Sequence, residues 1–142
     1  MTERDTVNSA TEEPAKIQAM FNATTSKNSV AIGYGAGSGV TTNDSYQGLT
    51  ALGYQSGFNL ANGSDYNTLL GYQAGYNIST GNHNIMLGAW PTSANANLTT
   101  GSGNILIGYN ISATSSTAWN SLNIGNLIFG TGLDGAGTSL SS

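Results

Sequence analysis

Few side chains in this chain can do chemistry, and they stand far apart. His83 is the single histidine, there is no cysteine, and beyond residue 27 the only carboxylates are Asp44, Asp65 and Asp134. A metal site draws on several histidines, cysteines or carboxylates, and nothing here gathers them. Glycoside hydrolysis needs two carboxyl groups a few ångströms apart, and the sequence gives no sign that Asp44 and Asp65 meet. A Ser-His-Asp set can be spelled from His83 and any of many serines, so the spelling carries no information. Gly33-x-Gly35-x-Gly37 is glycine-rich but lacks the lysine and strand-to-helix setting of a phosphate loop. The expectation is therefore no enzyme, no cofactor and no metal. What remains for recognition is aromatic: Tyr34, Tyr54, Tyr72 and Tyr109 each follow a glycine in the same local phrase, which makes them a candidate stacking column.

That phrase is what must position them. Asn67-Thr-Leu-Leu-Gly-Tyr-Gln-Ala-Gly75 returns as Asn28-Ser-Val-Ala-Ile-Gly-Tyr-Gly-Ala-Gly37 and as Leu49-Thr-Ala-Leu-Gly-Tyr-Gln-Ser-Gly57. Looser copies surround Gly88, Gly108 and Gly125. The repeat-defining glycines Gly33, Gly53, Gly71, Gly88, Gly108 and Gly125 are 20, 18, 17, 20 and 17 residues apart. A phrase recurring near a fixed period marks a repeat architecture. Apolar or β-branched residues lie one and three positions before each glycine (Val30/Ile32, Thr50/Leu52, Thr68/Leu70, Ile85/Leu87, Ile105/Ile107, Leu122/Ile124). Period-two spacing predicts a short strand with that face buried. Leu69, Met86 and Leu106, between the pairs, add cover on the second face. The glycine lets the chain corner at once, and the Asn, Ser, Thr and Gly that follow are turn chemistry. Frequent glycine and the absence of a 3.6-residue stripe exclude helices through this region. The reading is all-β: a parallel β-roll or β-solenoid of about six coils, each 17–20 residues long. Equivalent residues then stack about 4.8 Å apart, so the tyrosines, Gln55 with Gln73, and the opening asparagines can form ladders.

Composition narrows the partners. Arg4, Lys16 and Lys27 are the only basic residues and the net charge is −4. With no basic patch to release counterions, nucleic acid is not an expected partner. Eighteen consecutive apolar residues occur nowhere, so no membrane insertion is expected. The acidic N-terminus has no apolar signal core, which predicts synthesis in the cytoplasm without a signal peptide. A repeat region this poor in charge suits a surface consumed by other copies or partners. Coils with such short apolar strands are also thin for their length, which points to oligomerisation.

Three regions follow: an N-terminal anchor or arm over 1–27, the repeats over 28–129, and a Gly/Ser-rich tail over 130–142. Thr11 as cap and Pro14 near the start predict a short helix over 11–21. It would align Ile17, Met20 and Phe21 as the anchor or partner-binding candidates. Insertions at 38–44 and 92–101 map to loops on one side of the stack. Trp90 and Trp119 are expected to fill gaps between coils.

The phrases around Gly33 and Gly71 resemble the head repeats of trimeric autotransporter adhesins and, more nearly, related repeats of bacteriophage tail-fibre and spike proteins. Residues 120–135 are similar to phage-fibre segments that precede a C-terminal chaperone domain. The resemblance covers about residues 28–135. It implies a left-handed β-roll, a homotrimer, location in the virion after synthesis in the host cytoplasm, and contacts with capsid or tail proteins. Signal peptide, coiled-coil stalk, membrane anchor and chaperone domain find no counterpart in this sequence. Two function classes stand: a structural virion protein (fibre, spike or capsid decoration) docked by its N-terminal segment, or a module binding a host surface glycan or receptor through the two loops.

Overall fold

The computed structural model of the chain describes residues 19–23, 25–41, 44–88 and 98–131. Seven three-residue strands form one sheet in chain order: β1 (Val30–Ile32), β2 (Thr50–Leu52), β3 (Thr68–Leu70), β4 (Ile85–Leu87), β5 (Ile105–Ile107), β6 (Leu122–Ile124) and β7 (Ile128–Gly130). The first six pair in parallel and in strict register, so that Val30, Thr50, Thr68, Ile85, Ile105 and Leu122 share one column. The fold is a parallel β-solenoid, and no helix occurs among the described residues.

Two backbone devices cut each strand to three residues. The residue two before each of the six parallel strands has a positive φ (Asn28, Gly48, Tyr66, His83, Gly103, Asn120). The chain thus enters every strand from the left-handed region, which Gly and Asn tolerate best. It leaves the first five through the repeat glycine, at φ between 127° and 135°. A Cβ on Gly33 would sit 2.5 Å from the Gly53 carbonyl oxygen, and the next coil's glycine carbonyl blocks Gly53, Gly71 and Gly88 in the same way.

The buried face is the opposite of the one expected. The middle residue of each parallel strand points inward and is buried: Ala31, Ala51, Leu69, Met86, Leu106 and Asn123. The flanking apolar pairs point outward. Alternation along a three-residue strand puts either the middle residue or both flanks inside, and here it is the middle one. The rest of the core comes from the return path, where Leu49, Leu60, Ile78, Leu98, Ile111 and several alanines are buried.

Polar ladders bind coil to coil. Asn67, Asn84 and Asn104 share the register position before strands β3, β4 and β5, and all three are fully buried. Asn84 Nδ2 donates to Asn67 Oδ1 (3.1 Å) and to Gly101 O (3.0 Å). Asn84 Oδ1 in turn accepts from Asn104 N and Asn104 Nδ2, both at 3.0 Å. Ser121 N and Oγ close the ladder on Asn104 Oδ1. The expected amide ladder is therefore present, built from these three asparagines; Asn28 and Asn120 stand one position earlier, at the left-handed entry.

At the top, the stack starts before the first phrase. Met20 occupies the column of Gly37 and Gly57, with φ +52° and its N–H donating to Ala36 O as theirs donate to Ser56 O and Ala74 O. Ala23 and Lys27 bridge to Asp44 and Gln47 in parallel. Residues 19–22 are turns, not the last turn of a helix, and residues 11–18 lie outside the described residues. At the bottom the chain reverses, and β7 pairs antiparallel with β6 as the last strand of the sheet. Gly125 (φ +61°) and Asn126 (φ +57°) supply the two left-handed residues of a type I′ turn.

Candidate functional site: an apolar outer sheet face

Since the middle residues face inward, the pairs flanking them form two columns on the outside of the sheet. One runs Ile32, Leu52, Leu70, Leu87, Ile107, Ile124, and Ile128 extends it because it pairs opposite Ile124. The other runs Val30, Thr50, Thr68, Ile85, Ile105, Leu122. Val30, Leu52, Leu70, Ile85 and Ile128 are each 38–48% exposed, and the remaining apolar members are half-buried. Seven strands about 4.8 Å apart and three residues about 3.3 Å long each give a face of roughly 300 Å². An apolar patch of that size on a soluble chain is commonly an interaction site. No charged side chain interrupts it. The β-branched residues that make the strands are the same ones that make the surface sticky.

The tyrosine column exists in part. Tyr34, Tyr54 and Tyr72 stack with ring centroids 5.6 and 5.3 Å apart and planes within 14°. Their faces are turned on one another and their edges to solvent. Tyr109 is exposed and does not join them, because the intervening register position is residue 89, an alanine outside the described residues. Gln73 Nε2 donates to Gln55 Oε1 (2.8 Å), so the glutamine ladder holds too. Phe58 and Tyr76 make a further stacked pair, 5.3 Å apart, that the repeat phrase did not single out. Both lie one residue past the second glycine of their phrase, so the register could have predicted it.

The anchor candidates do not form one face. Met20 is buried in the core and Phe21 is exposed, while Ile17 lies outside the described residues. Trp119 is 66% exposed, contrary to the gap-filling expectation, and Trp90 lies outside the described residues. Of the insertion loops, 42–43 and 92–97 also lie outside them.

The reactive side chains are spent on structure. Buried Asp44 accepts from Thr41 N (2.6 Å) and Thr41 Oγ1 (2.7 Å). Beside it Tyr46 is buried, with its hydroxyl donating to Gly37 O. Burial, and then the Asp44 carboxylate, push this phenol well above its ordinary range. Asp65 Oδ1 accepts from Gln47 N (2.8 Å). Exposed His83 packs against Tyr66 and has Nδ1 2.8 Å from Asn82 Oδ1. Among the described residues no three His, Cys, Asp or Glu side chains group as metal ligands, and no helix is long and apolar enough to cross a membrane.

Comparison with protein-family models, curated proteins and solved structures finds no match to this chain.

Proposed function

We propose that the chain is a self-associating structural protein of a bacteriophage virion: a fibre, spike or capsid-decoration protein in which three copies pack their outer sheet faces together. The observation that carries the reading is the pair of columns along the outside of the sheet, one apolar throughout and the other interrupted only by Thr50 and Thr68. Left in water, that face is a liability, because an exposed apolar sheet invites uncontrolled association. Packed against like faces, it supplies the core that a narrow coil lacks. The charge-poor repeat surface and the resemblance of the phrase to phage-fibre repeats point the same way. The N-terminal segment, which holds every basic residue, is the proposed dock onto a capsid or tail protein.

The test is solution mass by light scattering, for the full chain and for Leu52→Glu with Leu70→Glu. In dilute solution the expected masses are three chains for the wild type and one for the variant, with an unchanged circular dichroism sheet signal. A monomeric wild type sinks the proposal.

A glycan-binding reading is favoured by Tyr109 and Trp119, whose exposed rings stack on no aromatic among the described residues. Tyr109→Ala and Trp119→Ala should then abolish binding to host-surface glycans without changing the mass.

A further inference from the structure

The end of the stack is an open sheet edge among the described residues. Strand β7 is the last strand of the sheet, so its outer edge pairs with no strand among the described residues. An open edge presents unpaired N–H and C=O groups, and natural sheets commonly guard such edges with charge. Here no Lys, Arg, Asp or Glu occurs between Asp65 and Asp134. Apolar side chains surround the edge instead: Leu127 is 89% exposed, and Ile128 and Phe129 are exposed as well. Ile128 lies on the outward side with Ile124, and Phe129 on the inward side with Asn123, so a strand added here would gain apolar contact on both faces.

Direction selects the occupant. Had the chain ended on β6, its free edge would match the parallel stacking of any further coil, and copies could add head to tail without limit. The turn at Gly125-Asn126 reverses β7 and removes that template. A β7 strand from a second copy, related by a two-fold axis, runs antiparallel to the first and offers it the same apolar residues, with no like charges to repel. We propose that β7 is a tail-to-tail docking edge for a second copy of this chain, so that two assemblies join end to end and growth stops there. This goes beyond side-by-side packing of the sheet faces and does not require it.

Sedimentation velocity over a concentration series tests it, using the full wild-type chain and Leu127→Glu with Phe129→Glu, both at exposed sites. The expected result is a wild-type particle twice the mass of the variant at high concentration. Leu52→Glu with Leu70→Glu should change the side-by-side mass while keeping the doubling, which separates this proposal from the preceding one. Equal masses for wild type and the β7 variant at every concentration overturn it; slow amide exchange at 128–130 in both would then assign the edge to the chain's own residues. Should the β7 variant lose its sheet signal, wild-type exchange decides alone: protection at 128–130 that does not rise with concentration overturns the proposal.

Discussion

Replacing Asn84 by leucine should be among the costliest single changes in the described core that leave backbone conformation alone. The shapes are similar, and leucine already stands at this register position two turns up the stack: Leu49, buried, precedes β2 as Asn84 precedes β4. Volume is therefore not the difficulty. The difficulty is what leucine leaves behind. Asn84 Nδ2 satisfies Gly101 O at 3.0 Å, and Asn84 Oδ1 satisfies both Asn104 N and one proton of Asn104 Nδ2. After substitution these three groups are orphaned in a dry interior, where each unmet group costs about 1–3 kcal/mol. Asn67 Oδ1 is spared, since it keeps the Asn84 backbone N–H at 3.0 Å. A loss of about 3–6 kcal/mol is expected, after allowing for partial relaxation and for the apolar gain of leucine. Against a typical domain stability of about 5–15 kcal/mol, that is a large share.

Urea unfolding followed by circular dichroism would read it, at one fixed protein concentration because self-association adds to apparent stability. Asn84→Leu with Asn104→Leu provides an internal check. Once Asn84 has gone, Asn104 has already lost partners, so the double variant should cost about 1–2 kcal/mol less than the two single losses added. A loss below about 1 kcal/mol for Asn84→Leu, or strict additivity in the cycle, would refute the view that the ladder acts as one connected network.

Gly71→Ala should abolish the fold or cost well over 2 kcal/mol, since its Cβ meets the Gly88 carbonyl at a φ of +130°. Gly63→Ala, at φ +84° with nothing near its Cβ, should lose only about 1 kcal/mol of strain, and thermal unfolding of the two compares clash with strain. Tyr46→Phe should weaken the fold by about 1 kcal/mol at neutral pH through loss of the bond to Gly37 O. Because the folded phenol is held above its ordinary value of about 10, only the unfolded chain releases this proton above that pH. Stability at this site is thus complete below pH 10 and should fall by up to about 1.4 kcal/mol per pH unit above it, a slope that Tyr46→Phe removes in denaturant titrations between about pH 9 and 11.

The period, the strands and the ladder column were legible because stacking forces equivalent residues into equivalent environments. Asn67, Asn84 and Asn104 could be read as rungs from their place in the phrase alone. The inward face was harder. Ala31 and Ala51 look like neutral spacers between Val30, Ile32, Thr50 and Leu52, and ordinary hydrophobic counting puts the larger side chains inside. Only the width of the coil, which spacing does not reveal, shows that a small central residue is what fits in the two upper coils. The reversal at β7 was legible and went unread: Gly125-Asn126 between Leu122, Ile124 and Ile128, Phe129 is a hairpin signal. The left-handed entry before each strand was not, since Tyr66 is a poor choice for that backbone and declares it only through its register with Gly48 and Gly103.

The misread face bears on the proposed assembly. A strand that needs only one inward side chain gains nothing inside its own coil from β-branched residues on either side of it. Yet in six successive coils those flanking positions hold Val, Ile, Leu or Thr and never a charge. The strands would fold with polar flanks, as the return loops do with Asn, Ser and Thr. The flanking residues are instead what a second packed layer requires, and the single chain contains no such layer among its described residues. On the proposed assembly the hydrophobic pattern is divided in two: the middle residues specify the coil, and the outer pairs specify what the coil is packed against. Changing Leu52 and Leu70 to charged residues should therefore leave the monomer's unfolding nearly unchanged while removing the proposed side-by-side association. Changing Leu69, the inward residue beside Leu70 on β3, should instead destabilise the coil itself.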